Sequence, residues 1–383
     1  MREKLGIYIH IPFCERKCHY CNFLSFCQRG EDEQEEYISF LLKELGISGK
    51  EISSQYLCDS VFIGGGTPSL LKEGLIPRVL EKVYTSFSLS SNAEISIEGN
   101  PNSLTSPKLK EYKRSGVNRI SIGVQAFDDH ILKKLGRVHN RHDALRAYEE
   151  ARDAGFDNIN LDLMFGVPDQ SFLSWSHDLR QVLDLLPDHL SLYTIQLEEG
   201  SAYYEDYRKG ILDFPSEQED RKMFHHAVEQ LGDAGYGHYE ISNFGKKKCL
   251  HNLKYWSLED YLGIGLGSSS YLGGSRGRNV REMSRWQEMI SGGKKPLDGD
   301  GFYREPREET ISIYCFTALR KKTGINFEDF AHRFGVRFNG YFMDKWPVLR
   351  NYERKGLLRL SEKHLALTEA GIDVSNEIMA EFI

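Results

Sequence analysis

Three cysteines, Cys14, Cys18 and Cys21, stand in a C-x3-C-x2-C spacing within residues 5–26, directly after an apolar, β-branched run that reads as a strand. Seven cysteines in a chain of 383 residues, three of them inside eight positions, do not resemble the framework of a disulfide-stapled secreted domain. In a reducing compartment such a cluster is a metal site. Structural zinc takes four protein ligands, commonly as two separated C-x2-C pairs. This chain has no second pair, so zinc would have to recruit His19 or Cys27. Three thiolates on one short loop instead suit a 4Fe-4S cluster with one iron open to a non-protein ligand. A zinc-binding interaction protein is the weakest alternative.

The strand that delivers the triad begins a repeating pattern. Helical periodicity covers residues 31–45, with Tyr37, Leu41, Leu42 and Leu45 on one face. Further strands are predicted at 60–63, 93–97, 119–122, 158–164 and 189–197, and helices near 70–87, 106–115, 141–154, 172–186 and 217–234. That alternation predicts right-handed βαβ units around a parallel sheet. Six units do not complete an eight-fold barrel, so the expected fold class is α/β, a partial (β/α)6 TIM-like barrel, with a doubly wound sheet as the alternative. In a barrel the C-terminal strand ends face one cleft. The Gly64-Gly65-Gly66-Thr67-Pro68 turn, Glu98, Gln125 and Asp162 all fall at such ends.

Regularity stops near residue 237. Residues 238–244 read as one more strand, 249–274 are rich in Gly, Ser and aromatics, and 292–301 resemble a linker. Helices near 307–322, 327–334 and 341–355, two short apolar runs at 357–360 and 365–368, and a last helix suggest a small α+β, winged-helix-like domain for packing or partner binding. The expected division is 1–245, 246–302 and 303–383.

The formal net charge of −7, with Lys246-Lys247-Lys248 as the notable basic run, argues against a nucleic-acid partner. No apolar run approaches the ~18–20 residues that span a bilayer, and the N-terminus lacks a signal pattern, so no stable membrane insertion and a cytoplasmic location are expected.

Taken jointly, several motifs resemble the radical-SAM superfamily, and in particular its anaerobic coproporphyrinogen III oxidase (dehydrogenase) family. They are Tyr8-Ile9-His10-Ile11-Pro12-Phe13-Cys14, the triad with Tyr20 before its last cysteine, Gly64-Gly65-Gly66-Thr67-Pro68, Glu98-Gly99-Asn100-Pro101, Ser121-Ile122-Gly123-Val124-Gln125, Leu135-Gly136-Arg137 and Asn160-Leu161-Asp162-Leu163-Met164. The resemblance implies a 4Fe-4S cluster on Cys14, Cys18 and Cys21, with S-adenosylmethionine (SAM) chelated at the open iron. It implies ligand contacts from Tyr8, Gly65, Gly66, Thr67, Glu98, Gln125, Arg137 and Asp162. Those residue types suit the role: Glu98 and Asp162 accept from ribose hydroxyls or ammonium, Arg137 pairs with a carboxylate, and glycines at 65 and 66 admit close backbone approach.

Two branches share these motifs. The dehydrogenase typically continues its triad with Gly-Cys and carries an N-terminal extension, whereas Asn22-Phe23 follow Cys21 here and the first strand begins near residue 5. The run His251-Asn252-Leu253-Lys254-Tyr255-Trp256 resembles the H-N-x-x-Y-W haem motif of the HemW-like haem chaperone branch. An imidazole is a good axial ligand for haem iron, and Tyr255 and Trp256 can cover a porphyrin face. Where many relatives read Gly-Ala-His-Ser this chain has Gly267-Ser268-Ser269-Ser270, and the Ser269 hydroxyl is a poor iron ligand. The resemblance thus implies a chaperone that binds haem through His251 and passes it to an acceptor protein. Coproporphyrinogen III dehydrogenase, a radical oxidative decarboxylase, is the alternative.

Overall fold

The computed structural model describes residues 2–383. Six strands run parallel in sequence order: β1 (Glu3–Ile11), β2 (Tyr56–Gly65), β3 (Leu89–Gly99), β4 (Arg119–Gln125), β5 (Ile159–Phe165) and β6 (His189–Thr194). Helices α1 (Glu31–Ile52), α2 (Leu75–Ser86), α3 (Ser106–Arg114), α4 (Arg141–Asp153) and α5 (Phe172–Leu185) connect them, and α6 (Glu217–Asp233) follows β6. The α/β class and the six predicted βα units are therefore observed. Helix starts follow local chemistry. Asn140 accepts from the Asp143 amide ahead of α4, and Ser216 from the Glu219 amide ahead of α6, each with an acidic side chain reaching back.

Period-two patterning assigns the two faces of the sheet. Leu5, Ile7, Ile9 and Ile11 of β1 are fully buried in one core with Tyr37, Ile38, Leu41 and Leu45 of α1. The alternate positions, Gly6, Tyr8 and His10, lie on the other face. The same alternation continues in Ser60/Val61, Glu94/Ile95, Ser121/Ile122 and Asp162/Leu163. A parallel strand sandwiched between helices is ordinarily apolar on both faces. Here one face is apolar and the other is polar, and the polar face carries the candidate site.

The sheet extends past both ends of the predicted set. After β6, residues 238–244 form a hairpin instead of one strand: β7 (Gly237–Glu240) and β8 (Asn243–Gly245), with β8 antiparallel to β6 and a register shift at Asn243. The Gly/Ser-rich stretch contributes helix α7 (Leu250–Trp256) and strands β9 (Tyr261–Ile264), β10 (Ser269–Leu272) and β11 (Ser275–Arg278), followed by β12 (Tyr303–Arg304). The order is β12-β11-β10-β9-β1-β2-β3-β4-β5-β6-β8-β7, with β9 parallel to β1. Short helices at Asp129–Lys134 and Ala202–Arg208 escaped prediction because neither is long enough to show a 3.6-residue period.

Beyond β12 come α8 (Arg307–Leu319), further helices, and a three-stranded antiparallel sheet of Ile325–Asn326, His364–Leu367 and Leu358–Leu360. Its core includes Leu258 and Tyr271 from the main-sheet region. The Ile241 amide donates to the Arg320 carbonyl at 3.0 Å, and the Lys322 amide to the Tyr239 carbonyl at 3.0 Å. These bonds fasten the end of α8 to the β7–β8 hairpin.

The glycine turn after β9 is fixed by one carboxylate. Glu44 of α1 is buried and accepts from the Asn279 amide at 2.6 Å, the Trp286 indole N–H at 2.9 Å and the Gly265 backbone N–H at 3.1 Å. Burial raises its pKa to about 7 against those donors. Glu44→Ala would strand the buried Trp286 indole N–H and Gly265 amide and take one of three acceptors from Asn279. We expect a loss of roughly 3 kcal/mol in unfolding free energy, read by urea denaturation, with Glu44→Gln losing less.

Candidate functional site

The polar face is closed at the end where the strands begin. Helix α7 lies across it, and the Glu94 carboxylate of β3 accepts from the Leu250 and His251 backbone N–H groups at 2.9 and 3.2 Å. A carboxylate at the first turn of a helix meets orphan donors and the positive end of the helix dipole. Alongside it, buried Arg119 of β4 lies 3.4 Å from His189 Nδ1, and Asn160 of β5 bonds to His189 Nδ1 at 2.5 Å. Arg119 remains charged among Glu94, Asp162 and the buried Tyr239 and Cys249.

At the opposite end the same strands expose a half-buried cleft. Tyr8 and His10 of β1 share a 3.0 Å bond from the phenol to Nδ1, and the Tyr8 ring stacks on Phe62 of β2 at 6.4 Å. Glu98 of β3 accepts from the Gly65 amide at 3.1 Å. Asp162 of β5 accepts from Ser121 at 3.0 Å and from Asn160 at 2.8 Å. Burial, then the neighbouring Asp162 charge, raises the Glu98 pKa to about 7. Burial also raises Asp162. Two desolvated carboxylates that raise each other's cost of ionisation form a site that favours a cation.

The glycine turn has its own geometry. A Cβ on Gly66 would stand 2.6 Å from the Phe13 carbonyl, and Gly65 adopts φ +114° with its missing side chain directed at His10. Both glycines are therefore demanded by packing against β1 and the residues after it. The Gly66 and Thr67 amides donate back to the Ile11 and Phe13 carbonyls at 2.8 and 2.7 Å. Gln125, at a bulge between β4 and β5, holds φ +69°, a region that a non-glycine residue occupies at a cost of ~1–3 kcal/mol.

The cysteine loop leans on this cleft. Cys14, Cys18 and Cys21 are half-buried free thiols. Thr67 Oγ1 is 3.7 Å from Cys14 Sγ, and Arg137 Nη1 is 3.4 Å from Cys18 Sγ. Arg137 Nη2 donates to Asn100 at 2.6 Å and to the Gly123 carbonyl at 2.8 Å, so this guanidinium ties the loop to two strand ends. The loop is also pinned through His19, whose Nδ1 meets the Lys134 carbonyl at 2.8 Å. Cys27 lies beside Cys14 in a two-residue parallel ladder, Phe13–Cys14 with Phe26–Cys27. Among the described residues no three His, Cys, Asp or Glu side chains converge as ligands of one metal ion. The fit of a cluster thus rests on the thiol triad and the adjoining Arg137 cation.

Tyr8, Gly65, Gly66, Thr67, Glu98, Gln125, Arg137 and Asp162 therefore gather at one end of one sheet face, next to the triad. His251 does not join them. It is fully buried in the first turn of α7, with Nδ1 2.9 Å from the Ser60 hydroxyl and Nε2 2.8 Å from the Tyr255 hydroxyl. Its ring stacks on Phe62 at 5.3 Å. Burial, aided by Lys254 and Arg119, pushes its pKa down to about 3. A neutral imidazole has one donor and one acceptor nitrogen, and both are engaged, so the expected axial ligand offers no free nitrogen in this packing. Ser269 is exposed at the start of β10. Sequence reasoning also missed Asn100, Phe62 and Tyr193 as components of the cleft, although strand alternation places each on the polar face or just beyond it.

Residues 8–185 match the Radical SAM superfamily, and residues 314–374 the HemN C-terminal domain. The chain is 36% identical to "Heme chaperone HemW" of Bacillus subtilis over 379 residues, covering 98% of each. It is 39% identical to the Escherichia coli protein of that name over 284 residues, covering 72% of each. Among solved structures, coproporphyrinogen III oxidase (HemN) from Escherichia coli, described as a radical SAM enzyme, superposes with a TM-score of 0.86 at 22% identity, over 100% of this chain and 90% of that one.

Two measurements probe the two ends of the face. A cation binding beside Glu98 favours the carboxylate, so with a pKa of about 7 its proton must leave as pH rises. SAM affinity should climb by roughly tenfold per unit of pH below that value and level off above it, in calorimetric titrations. Asp162, Arg119, Tyr8, Tyr193 and Tyr255 share its surroundings, and Glu98→Gln should remove its contribution to the slope. His251→Ala should lower unfolding free energy by about 3 kcal/mol in urea, through a cavity and two orphaned hydroxyls.

Proposed function

The chain belongs to the HemW-like branch of the radical SAM superfamily, and from that premise we propose that it is a haem chaperone. It binds haem, a 4Fe-4S cluster and SAM, and it delivers haem to an acceptor protein. The observation that carries this reading is the end-to-end likeness to the Bacillus subtilis heme chaperone, 98% of both chains at 36% identity. Asn22-Phe23 after the triad support it too. The superposition on coproporphyrinogen III oxidase, at 22% identity, speaks for the frame alone.

In this reading Cys14, Cys18 and Cys21 hold the cluster, and Arg137 steadies Cys18 through its 3.4 Å contact. Glu98 and Asp162 attract the cationic portion of SAM. Tyr8, Gly65, Gly66, Thr67 and Gln125 shape the walls. The cluster and SAM, when bound, supply an open iron and a sulfonium that can be reductively cleaved. Cys27 stays outside the ligand set as a neighbour of Cys14. Among the described residues no helix is long and apolar enough to cross a membrane, and we place the protein in the cytoplasm, where thiols stay reduced. The connecting segment and the C-terminal domain are read as the parts that meet haem and the acceptor.

His251 serves here as a packing residue below Phe62 and Tyr8, and haem takes its axial ligand elsewhere. An anaerobic preparation with reconstituted cluster tests the whole reading. Haem should bind with one-to-one stoichiometry, coproporphyrinogen III should not turn over with SAM and a reductant, and His251→Gln should leave the Soret maximum in place. Sustained decarboxylation of coproporphyrinogen III would overturn the chaperone function. A shifted or lost Soret band in His251→Gln, with the melting temperature kept, would restore His251 as a ligand. Cys18→Ala should abolish the cluster's visible absorbance.

A further inference from the structure

We propose that Arg320, stacked on Trp256 at the junction of α8 with the β7–β8 hairpin, is the docking point for a carboxylate of the tetrapyrrole cargo, one propionate of haem. The inference rests on the haem-chaperone reading and adds to it the group by which the cargo is held.

Four buried polar atoms of this region have no hydrogen-bond partner among the described residues. They are Arg320 Nε, Trp256 Nε1, Glu240 Oε2 and Asn243 Oδ1. The first two are donors and the last two acceptors. Buried polar atoms are nearly always satisfied, and the two neighbouring orphan donors, Arg320 Nε and Trp256 Nε1, mark a place where an acceptor is missing. The Arg320 guanidinium carbon lies 4.3 Å from the centre of the Trp256 ring. Stacking of this kind fixes the plane of a guanidinium and leaves its N–H edge for a carboxylate, whose two oxygens it matches.

The guanidinium keeps donor capacity that its own neighbours do not use. Burial works against the Arg320 charge. Its neighbour Glu240 is buried and is itself raised by that burial, and its other oxygen accepts from Asn243. Glu240 is the charge that most favours the Arg320 cation, yet Arg320 Nε and Glu240 Oε2 each lack a hydrogen-bond partner among the described residues. A buried cation short of a partner gains most from a ligand carboxylate.

The position fits the cargo as well. Tyr193, at the cleft end of β6, is 39% exposed, and its hydroxyl feels the charges of Asp162, Glu240 and Glu98. Arg320 in turn feels Tyr193. Tyr193 thus lies within electrostatic reach of both Arg320 and the carboxylates of the cleft. Trp256 and Tyr193 supply flat surfaces for a macrocycle. The backbone is held by the Ile241 amide on the Arg320 carbonyl, so the side chain is presented from a fixed point.

The experiment compares iron protoporphyrin IX with its dimethyl ester, which keeps the macrocycle and iron but has no free carboxylate. Both are titrated by absorbance into the cluster-loaded protein in the same co-solvent. The wild type should bind the free acid at least about tenfold more tightly than the ester. Arg320→Gln should lose that preference, its ester affinity staying within about twofold of wild type, and Arg320→Lys should keep part of it. Equal wild-type affinity for the acid and the ester would overturn the proposal without any mutant, leaving haem binding intact. A preference undiminished in Arg320→Gln would overturn it also, as would equal weakening of both ligands. Binding of neither ligand by the wild type would overturn this site together with the chaperone reading.

Discussion

The structure depends on a sheet face that is polar and yet closed off from bulk water. Glu94, Arg119, Asn160, Asp162 and His189 occupy alternate positions of β3 to β6, where a fold of this class would ordinarily bury Val or Ile. Each such group has to find a partner inside the protein or forfeit several kcal/mol of solvation. Glu94 meets the backbone of α7, Arg119 lies between two carboxylates, and Asn160 bridges Ser121 and His189. The position of α7 follows from this demand. It supplies the amides that a buried carboxylate needs, and in doing so it seals the lower end of the face.

The upper end of the same face is treated differently, and the contrast defines the site. Arg119 tempers Glu98 and Asp162 only as a lesser influence than burial, and no side-chain cation pairs with either. Nearby, Gly65 and Gln125 hold left-handed backbone conformations. Charge that is paired below and less fully offset above gives the face a direction, toward the end where the cysteine loop sits. Arg137 completes that end by spanning Cys18, Asn100 and the Gly123 carbonyl. Cluster loop and ligand walls are in this way one mechanical unit.

The six βα units were legible in the sequence because an apolar period of two, followed by a long amphipathic period, leaves few alternatives. The strand-end residues were legible as well, since the chain order of the units brings their C-terminal ends together. Strand β9 was not. Its four residues, Tyr261–Ile264, return across the sheet to lie beside β1, and no local pattern announces a non-consecutive neighbour. The glycines at 65 and 66 were read as admitting close backbone approach to a ligand. The obstacle a Cβ would meet, however, is the protein's own His10 and Phe13. His251 shows a different limit: a motif match names the residue type but not the direction in which α7 turns it.

That direction divides the H-N-x-x-Y-W run into two parts. His251, at the first turn, faces the sheet and joins Ser60 and Phe62 in the sealed floor. Tyr255, one turn later, caps the other imidazole nitrogen, so the motif's own aromatic residue helps occupy its histidine. Trp256, the next position, points to the other side and meets Arg320 from the C-terminal domain. Residues four and five apart on a short helix cannot share one face equally. A motif spread over six residues can thus serve both a floor that must stay intact and a contact with the C-terminal domain. The C-terminal domain enters through that second surface, because the bonds fastening α8 to the β7–β8 hairpin bring Arg320 to the one aromatic residue of the motif that the floor leaves free.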